Sequence, residues 1–132
     1  MPKRTDDFDR ELFFRALADR TRLSLINLIG DDEVCVCHFV DTLNTHQPKI
    51  SRHLAYLRRA GIVEARREGT WMHYRIATPA DADAARVFKD IRQWLAKDTG
   101  MKQERKLLAK ICCVPGAFKA SRRSSASRLR GK

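Results

Sequence analysis

The hydrophobic and polar positions along the chain predict five helices and one β-hairpin. Apolar residues recur three and four positions apart, as on the buried face of a helix. Asp6 and Asp7 are expected to cap the first helix with their side-chain oxygens. Asp19 should cap the second helix, Thr45 the fourth, and Gly30 should end the second. The predicted helices cover residues 8–18, 20–29, 34–43 and 47–60, and a fifth follows residue 79.

The hairpin comes directly after the fourth helix. Alternating residues predict strands over 62–67 and 71–77, joined by a Gly-containing turn at 68–70. Pro48 falls in the first turn of the fourth helix, where a proline costs little because that N–H has no helical partner. The order of elements predicts a mainly α fold with a small β-hairpin. This is the winged helix-turn-helix, with the fourth helix as its recognition helix.

Two apolar helix faces have no obvious partner inside so small a domain. One is on the first helix and the other on the last, where apolar residues recur at helical spacing. We therefore expect a homodimer, in which these faces meet. The expected dimer contacts are Phe8, Leu12, Phe88, Ile91, Trp94 and Leu95.

The charge is concentrated in two segments of the 132-residue chain. The formal net charge is +11; residues 47–75 carry seven Lys and Arg against two acidic residues, and residues 102–132 carry ten against one. Such a local excess attracts polyanions, with nucleic acid the usual partner. We expect a winged helix-turn-helix and dimerisation domain over 1–100, an extension with a cysteine pair over 101–117, and a disordered basic tail over 118–132.

Neither a membrane span nor a secretory signal is predicted. No apolar run approaches the ~20 residues that a membrane helix needs. The first residues are charged and are not followed by an apolar stretch. We therefore expect a cytoplasmic protein with no membrane partner.

The start of the fourth helix carries side chains that suit DNA. The N-terminal residues of a recognition helix meet base edges in the major groove, and a basic wing contacts the backbone. No nucleophile with a neighbouring base and no Gly-rich phosphate loop is evident, so neither an enzyme nor an organic cofactor is expected. The expected DNA contacts are Gln47, Lys49, Ser51, Arg52, His53 and Tyr56, with Arg66, Arg67 and Gly69 on the wing.

Four cysteines form two close pairs, Cys35 with Cys37 and Cys112 with Cys113. Without a secretory signal, close thiols indicate metal binding or redox chemistry rather than a disulfide framework. On a regular helix, Cys35 and Cys37 would point ~200° apart at ~100° per residue. One ion could then bridge them only if the start of the helix were distorted, which would pass strain to the recognition helix.

Several motifs together resemble the ArsR/SmtB family of metalloregulatory repressors. They are LADRTRL at 17–23, QPKISRHL at 47–54, LRRAGIV at 57–63 and the wing RREGTWMHYRI at 66–76. The resemblance covers residues 8–98 and implies a homodimeric repressor. Such a repressor leaves its operator, an inverted repeat in double-stranded DNA, when an inducer binds.

The segment around Cys35-Val36-Cys37 also resembles the sensor of the arsenical-resistance repressors within that family. It implies As(III), and also Sb(III) or methylated arsenite, as inducer bound by soft thiolates. The family pattern has a further cysteine three positions later, where this chain has Val40. A third thiol would come from elsewhere, and Cys112 and Cys113 are candidates.

Other functions fit the same residues. The thiols could respond to oxidants by forming a disulfide, or to cadmium or lead. A non-switching architectural or RNA-binding protein led by the basic tail is a further alternative. Deleting residues 118–132 discriminates, because a repressor should keep its specific operator affinity and lose mainly non-specific, salt-dependent binding.

Overall fold

The computed structural model describes residues 8–112, with side chains for residues 8–111. Asp6, Asp7, Cys113 and the predicted tail at 118–132 lie outside the described residues. In chain order, the elements are α1 (Arg10–Leu17), α2 (Arg20–Ile29), β1 (Val34–Cys35), α3 (Val36–Leu43), α4 (Gln47–Arg59), β2 (Val63–Glu68), β3 (Trp71–Ile76), α5 (Ala82–Ala96) and α6 (Thr99–Cys112).

The ends of α2 confirm two predictions. The side chain of Asp19 accepts from the Arg22 N–H at 3.0 Å, and Gly30 follows the helix with φ 55°. The positive φ explains why residue 30 is a glycine, because a residue with a Cβ is strained at such an angle.

Two of the predicted caps are wrong. The side chain of Asp9, rather than Asp6 or Asp7, accepts from the Leu12 N–H at 2.9 Å, so α1 begins at Arg10. His46 precedes α4 and makes no side-chain capping bond. Thr45 does not cap this helix because it belongs to the turn that closes α3, where its N–H donates to the Val40 carbonyl at 3.2 Å.

The sheet has a third strand that the periodicity did not predict. Residues 34 and 35 were expected to begin the third helix, but they form β1 and pair antiparallel with β3, in the order β1-β3-β2. A short apolar run suits either a helix or a buried strand, and the contact with β3 decides here. The helix α3 therefore starts at Val36.

The wing is the β2–β3 hairpin, and three of its four strand ends are shifted by one residue from the prediction. Glu68 pairs with Trp71, so the turn consists of Gly69 and Thr70. Gly69 has φ 64°, which explains the glycine in so tight a turn.

The core lies between α2, α4 and the sheet, and both α1 and α5 contribute to it. Ile50, Leu54 and Leu57 bury one face of α4, as predicted. Phe88 of α5 packs edge-on against Phe13 with ring centroids 6.2 Å apart. At 2% exposure, Phe88 belongs to the core of the single chain, which corrects its assignment to the dimer surface.

Helix α6 was not predicted from the sequence. It packs against α2 and α3, with Met101 and Leu108 buried. Asn27 donates from its side-chain amide to the Met101 carbonyl at 3.0 Å, and Arg105 donates to the Asn27 carbonyl at 2.7 Å. The expected domain boundary at residue 100 thus falls within the first turn of α6. Within the described part of the chain, no helix is long and apolar enough to cross a membrane.

Candidate nucleic-acid interface and thiol site

The two thiols of Cys35 and Cys37 lie side by side. Cys35 ends β1 with an extended backbone (φ −73°, ψ 142°), and Cys37 lies in the first turn of α3. The Cys37 thiol donates to the Cys35 sulfur at 3.1 Å. The expected ~200° separation is therefore wrong, because it assumed that both residues are helical. The strand-to-helix junction brings the sulfurs together without distorting α3.

The electrostatics of the junction favour a thiolate at Cys35. The hydrogen bond from the Cys37 thiol lowers the pKa of Cys35 to about 7, against the opposing effect of burial, and the backbone N–H of Cys37 lowers it further. A larger fraction of Cys35 is therefore ionised at neutral pH than for a cysteine whose pKa is not lowered. The thiolate is the form that attacks electrophiles and binds soft metals.

The described part of this site contains two thiols. Among residues 8–112, no group of three or more Cys, His, Asp and Glu side chains is arranged to hold a metal ion. Val40 is half-buried against the core. The side chain of Cys112 and all of Cys113 lie outside the described residues, although α6, which ends at Cys112, packs against α3.

The recognition helix α4 exposes only some of the expected DNA contacts. Gln47, Lys49 and Arg52 are exposed near its N-terminus, and Ser51 is half-buried. His53 and Tyr56 face α2 instead: Arg22 donates to the His53 Nδ1 at 3.2 Å and stacks over the Tyr56 ring at 4.2 Å from its centroid. These two side chains connect α4 to the rest of the domain.

Arg22 is a residue whose structural role the sequence analysis missed. It also donates to the carbonyls of Ala16 at 2.8 Å and Arg15 at 2.9 Å, so it joins the end of α1 to α4. In the sequence, Arg22 looks like an ordinary solvent-exposed arginine on the polar face of α2. Its contacts with the end of α1 and with α4 become evident only in the folded structure.

The His53 contact predicts a pH dependence of stability. Burial lowers the pKa of His53 below 6.5, and although Asp19 opposes this shift, Arg22, Lys49 and Arg52 add to it. As the pH falls through about 6.5, His53 therefore takes up a proton more readily in the unfolded chain than in the folded chain. The free energy of unfolding consequently falls as the pH drops below that value. For one proton, the slope is at most ~1.4 kcal/mol per pH unit. Urea unfolding between pH 7.5 and 5.5 should show a shallower slope for His53→Gln; equal slopes would contradict the assignment.

The wing places its arginines differently. Arg66 and Arg67 are both exposed, and Arg66 forms ion pairs with Glu33 and Glu68. Trp71, half-exposed beside the turn, was not singled out from the sequence. An aromatic residue next to the turn of a basic hairpin is the signal that could have identified it.

Only part of the expected dimer surface is exposed in the single chain. Phe8, Leu12, Ile91 and Leu95 are half-buried against the core. Trp94 is 73% exposed. Phe14 of α1 and Val87 of α5 are also exposed, and the sequence analysis did not include them.

Comparison with known proteins identifies the family. The model of the bacterial regulatory proteins of the arsR family matches residues 19–65, which run from the cap of α2 into the wing. The arsenical resistance operon repressor of Escherichia coli (strain K12) is 44% identical over 78 residues, covering 58% of this chain and 67% of that protein. The chain belongs to the ArsR family.

Two further comparisons agree with this membership. The arsenic resistance transcriptional regulator ArsR1 of Pseudomonas putida is 42% identical over 92 residues, covering 66% of this chain and 72% of that regulator. A homodimeric winged helix-turn-helix DNA-binding domain from Mycobacterium bovis superposes with a TM-score of 0.53 at 31% identity, covering 68% of this chain and 84% of that domain. This ArsR-family chain is thus a DNA-binding transcriptional repressor of the winged helix-turn-helix class, and its relatives are regulators rather than enzymes.

Proposed function

We propose that this repressor binds operator DNA as a homodimer and leaves it when trivalent arsenic bonds to the thiolates of Cys35 and Cys37. The observation that carries the proposal is the thiol pair itself, with its sulfurs 3.1 Å apart at the start of α3. This helix is separated from the recognition helix by one short turn, so the pair lies close to the DNA-reading element.

The chemistry needs no oxidant. Arsenite, As(OH)₃, exchanges two hydroxyl groups for two cysteine sulfurs: two As–S bonds form, two As–O bonds break, and each thiol proton leaves in a water molecule. The third hydroxyl remains available for a further thiol. Cys112 and Cys113 are proposed as its source, which is supported by the packing of α6 against α3.

The spacing of the sulfurs favours arsenic or antimony over zinc. With metal–sulfur bonds of ~2.3 Å, sulfurs 3.1 Å apart subtend roughly 85° at a shared centre. Three-coordinate As(III) and Sb(III) carry a lone pair and form bonds close to right angles, whereas zinc in structural sites is tetrahedral. Both elements are also thiophilic.

The DNA-binding surface is proposed to combine α4 with the wing. Gln47, Lys49 and Arg52 would meet base edges and phosphates, and Arg67 and Gly69 would approach the backbone from the wing. The exposed apolar side chains of α1 and α5 would meet in the dimer. A symmetric dimer places two recognition helices about 34 Å apart, which matches an inverted repeat with half-sites one turn apart.

Operator release tests the proposal directly. Fluorescence anisotropy of a labelled operator is measured while arsenite, antimonite, methylated arsenite and cadmium are titrated in the presence of a strong reductant. We expect arsenite to weaken operator binding by about 10- to 100-fold, within the usual range of allosteric coupling. Binding unchanged by all four would contradict the proposal.

A thiol-redox repressor is the second candidate, favoured by the same short sulfur–sulfur distance. Peroxide would accept two electrons from the pair, forming a Cys35–Cys37 disulfide and two water molecules. Release by peroxide without metal, reversed by dithiothreitol, would support this candidate. Release by arsenite under strong reductant would exclude it as the main signal.

A further inference from the structure

A carboxylate beside the thiol site holds an arginine of the wing. Glu33 directly precedes β1, two residues before Cys35. The Arg66 Nε donates to both Glu33 carboxylate oxygens at 2.9 Å, and the Arg66 Nη2 donates to one of them at 2.6 Å. Glu33 therefore accepts from one edge of the guanidinium in a bidentate arrangement, and charge-assisted bidentate pairs are among the stronger hydrogen bonds in proteins.

The backbone makes the same connection. Cys35 pairs with His73 of β3, and His73 pairs with Arg66 of β2, so these three residues form one row across the sheet. Side chains of directly opposed residues project from the same face of a sheet. His73 lies 3.6 Å from Glu68, which in turn lies 3.2 Å from Arg66. A displacement of β1 at Cys35 would therefore have both a backbone and a side-chain route to Arg66.

Arg66 keeps a free edge for DNA. A guanidinium carries five N–H donors, and Glu33 uses only those of Nε and Nη2. The side chain is 51% exposed, and the remaining nitrogen, Nη1, can donate to a phosphate while Glu33 holds the group in place. An arginine held in this way loses less rotational freedom when it meets DNA.

We infer that Glu33 is the positioning residue that couples the thiol site to the wing. In the inducer-free protein it holds Arg66 towards the DNA backbone, and bridging of Cys35 to Cys37 displaces β1 and withdraws that support. Cys35 is buried in a close-packed core, so an added arsenic atom and its remaining substituent need space that the strand has to provide. The inference rests on the proposed role of the thiols as the sensor. It places the structural change that weakens DNA binding at the wing rather than in a distorted α3.

The first test compares Glu33→Gln with Glu64→Gln. Glu64 is a matched control, because it pairs with Arg75 at 2.8 Å on the same hairpin but lies on β2, which does not pair with β1. Glu33→Gln should bind arsenite normally, by thiol titration, yet its arsenite-induced loss of operator affinity should be at least about fivefold smaller than that of wild type. Glu64→Gln should respond like wild type. Equal release in both variants overturns the inference.

The second test needs neither DNA nor a particular natural inducer. Phenylarsine oxide bridges two thiols: two As–S bonds form, and its oxygen leaves with both protons as water. In a Trp94→Phe background, the emission of Trp71 reports on the wing. The reagent should shift that emission in the background protein and in Glu64→Gln, and the shift should be clearly smaller in Glu33→Gln, which keeps only the backbone connection through β3. If the Trp71 emission shifts while arsenite fails to release the operator, the proposed function fails but the coupling between the thiol site and the wing stands. If phenylarsine oxide leaves the Trp71 emission of the background protein unchanged, that coupling is overturned.

Discussion

Cys35→Ser is expected to abolish arsenite-driven release and to leave inducer-free operator binding within about twofold of wild type. A serine hydroxyl is close in size to the thiol but is neither soft nor ionised at neutral pH, so the arsenic loses its sulfur bond at this position. The ratio of operator dissociation constants with and without arsenite should fall from about 10–100 to about 1. Anisotropy of a labelled operator measures both constants.

Cys37→Ser should behave in the same way, since the two sulfurs act as a pair 3.1 Å apart. Val36→Ala is the matched control: it removes buried apolar atoms between the two cysteines but keeps both sulfurs. It should lower stability by about 1 kcal/mol and still be released by arsenite. Release that persists in the Cys35→Ser/Cys37→Ser double variant would contradict the proposed sensor.

Met101→Ala is expected to lower the free energy of unfolding by about 2–5 kcal/mol, the range for truncating a large side chain in a core. Met101 is 2% exposed, and its carbonyl accepts the hydrogen bond from Asn27. Loss of its side chain would leave a cavity where α6 meets α2. Urea unfolding followed by circular dichroism measures the change.

Leu107 provides the control on the same helix. It is 44% exposed, so Leu107→Ala should change the free energy of unfolding by no more than about 0.5 kcal/mol. Equal midpoints for Met101→Ala and wild type would mean that α6 is an appendage, as the expected boundary at residue 100 implied. A large difference between the two variants would support α6 as part of the domain.

Much of the DNA-reading element was predictable from the sequence because its signals are local. Ile50, Leu54 and Leu57 repeat at helical spacing, and Pro48 suits the first turn of a helix. Asp19 marks the start of α2 and Gly30 its end, through a capping hydrogen bond and a backbone angle that involve only near neighbours in the sequence. Signals of this kind depend only on residues close in the sequence, so α1 to α5 and the wing were predicted to within a few residues, whereas α6 was not predicted.

Contacts between distant residues were not predictable in the same way. Helical periodicity assigned Cys35 to α3, but its pairing with His73 makes it a strand residue. His53 and Tyr56 are residue types that often contact DNA, yet both contact Arg22 of α2. In each case, the deciding partner lies far away in the chain, and no local spacing encodes it.

The sequence by itself determined the type of fold, the recognition helix, the wing and the presence of two close cysteines, because each depends on residues that are neighbours in the chain. The tertiary structure decided what those cysteines can do. Pairing of β1 with β3 takes Cys35 out of the helix, which brings its sulfur beside that of Cys37. The same pairing places Glu33 against Arg66, and so joins the thiol site to the wing through a contact that exists only in the folded sheet.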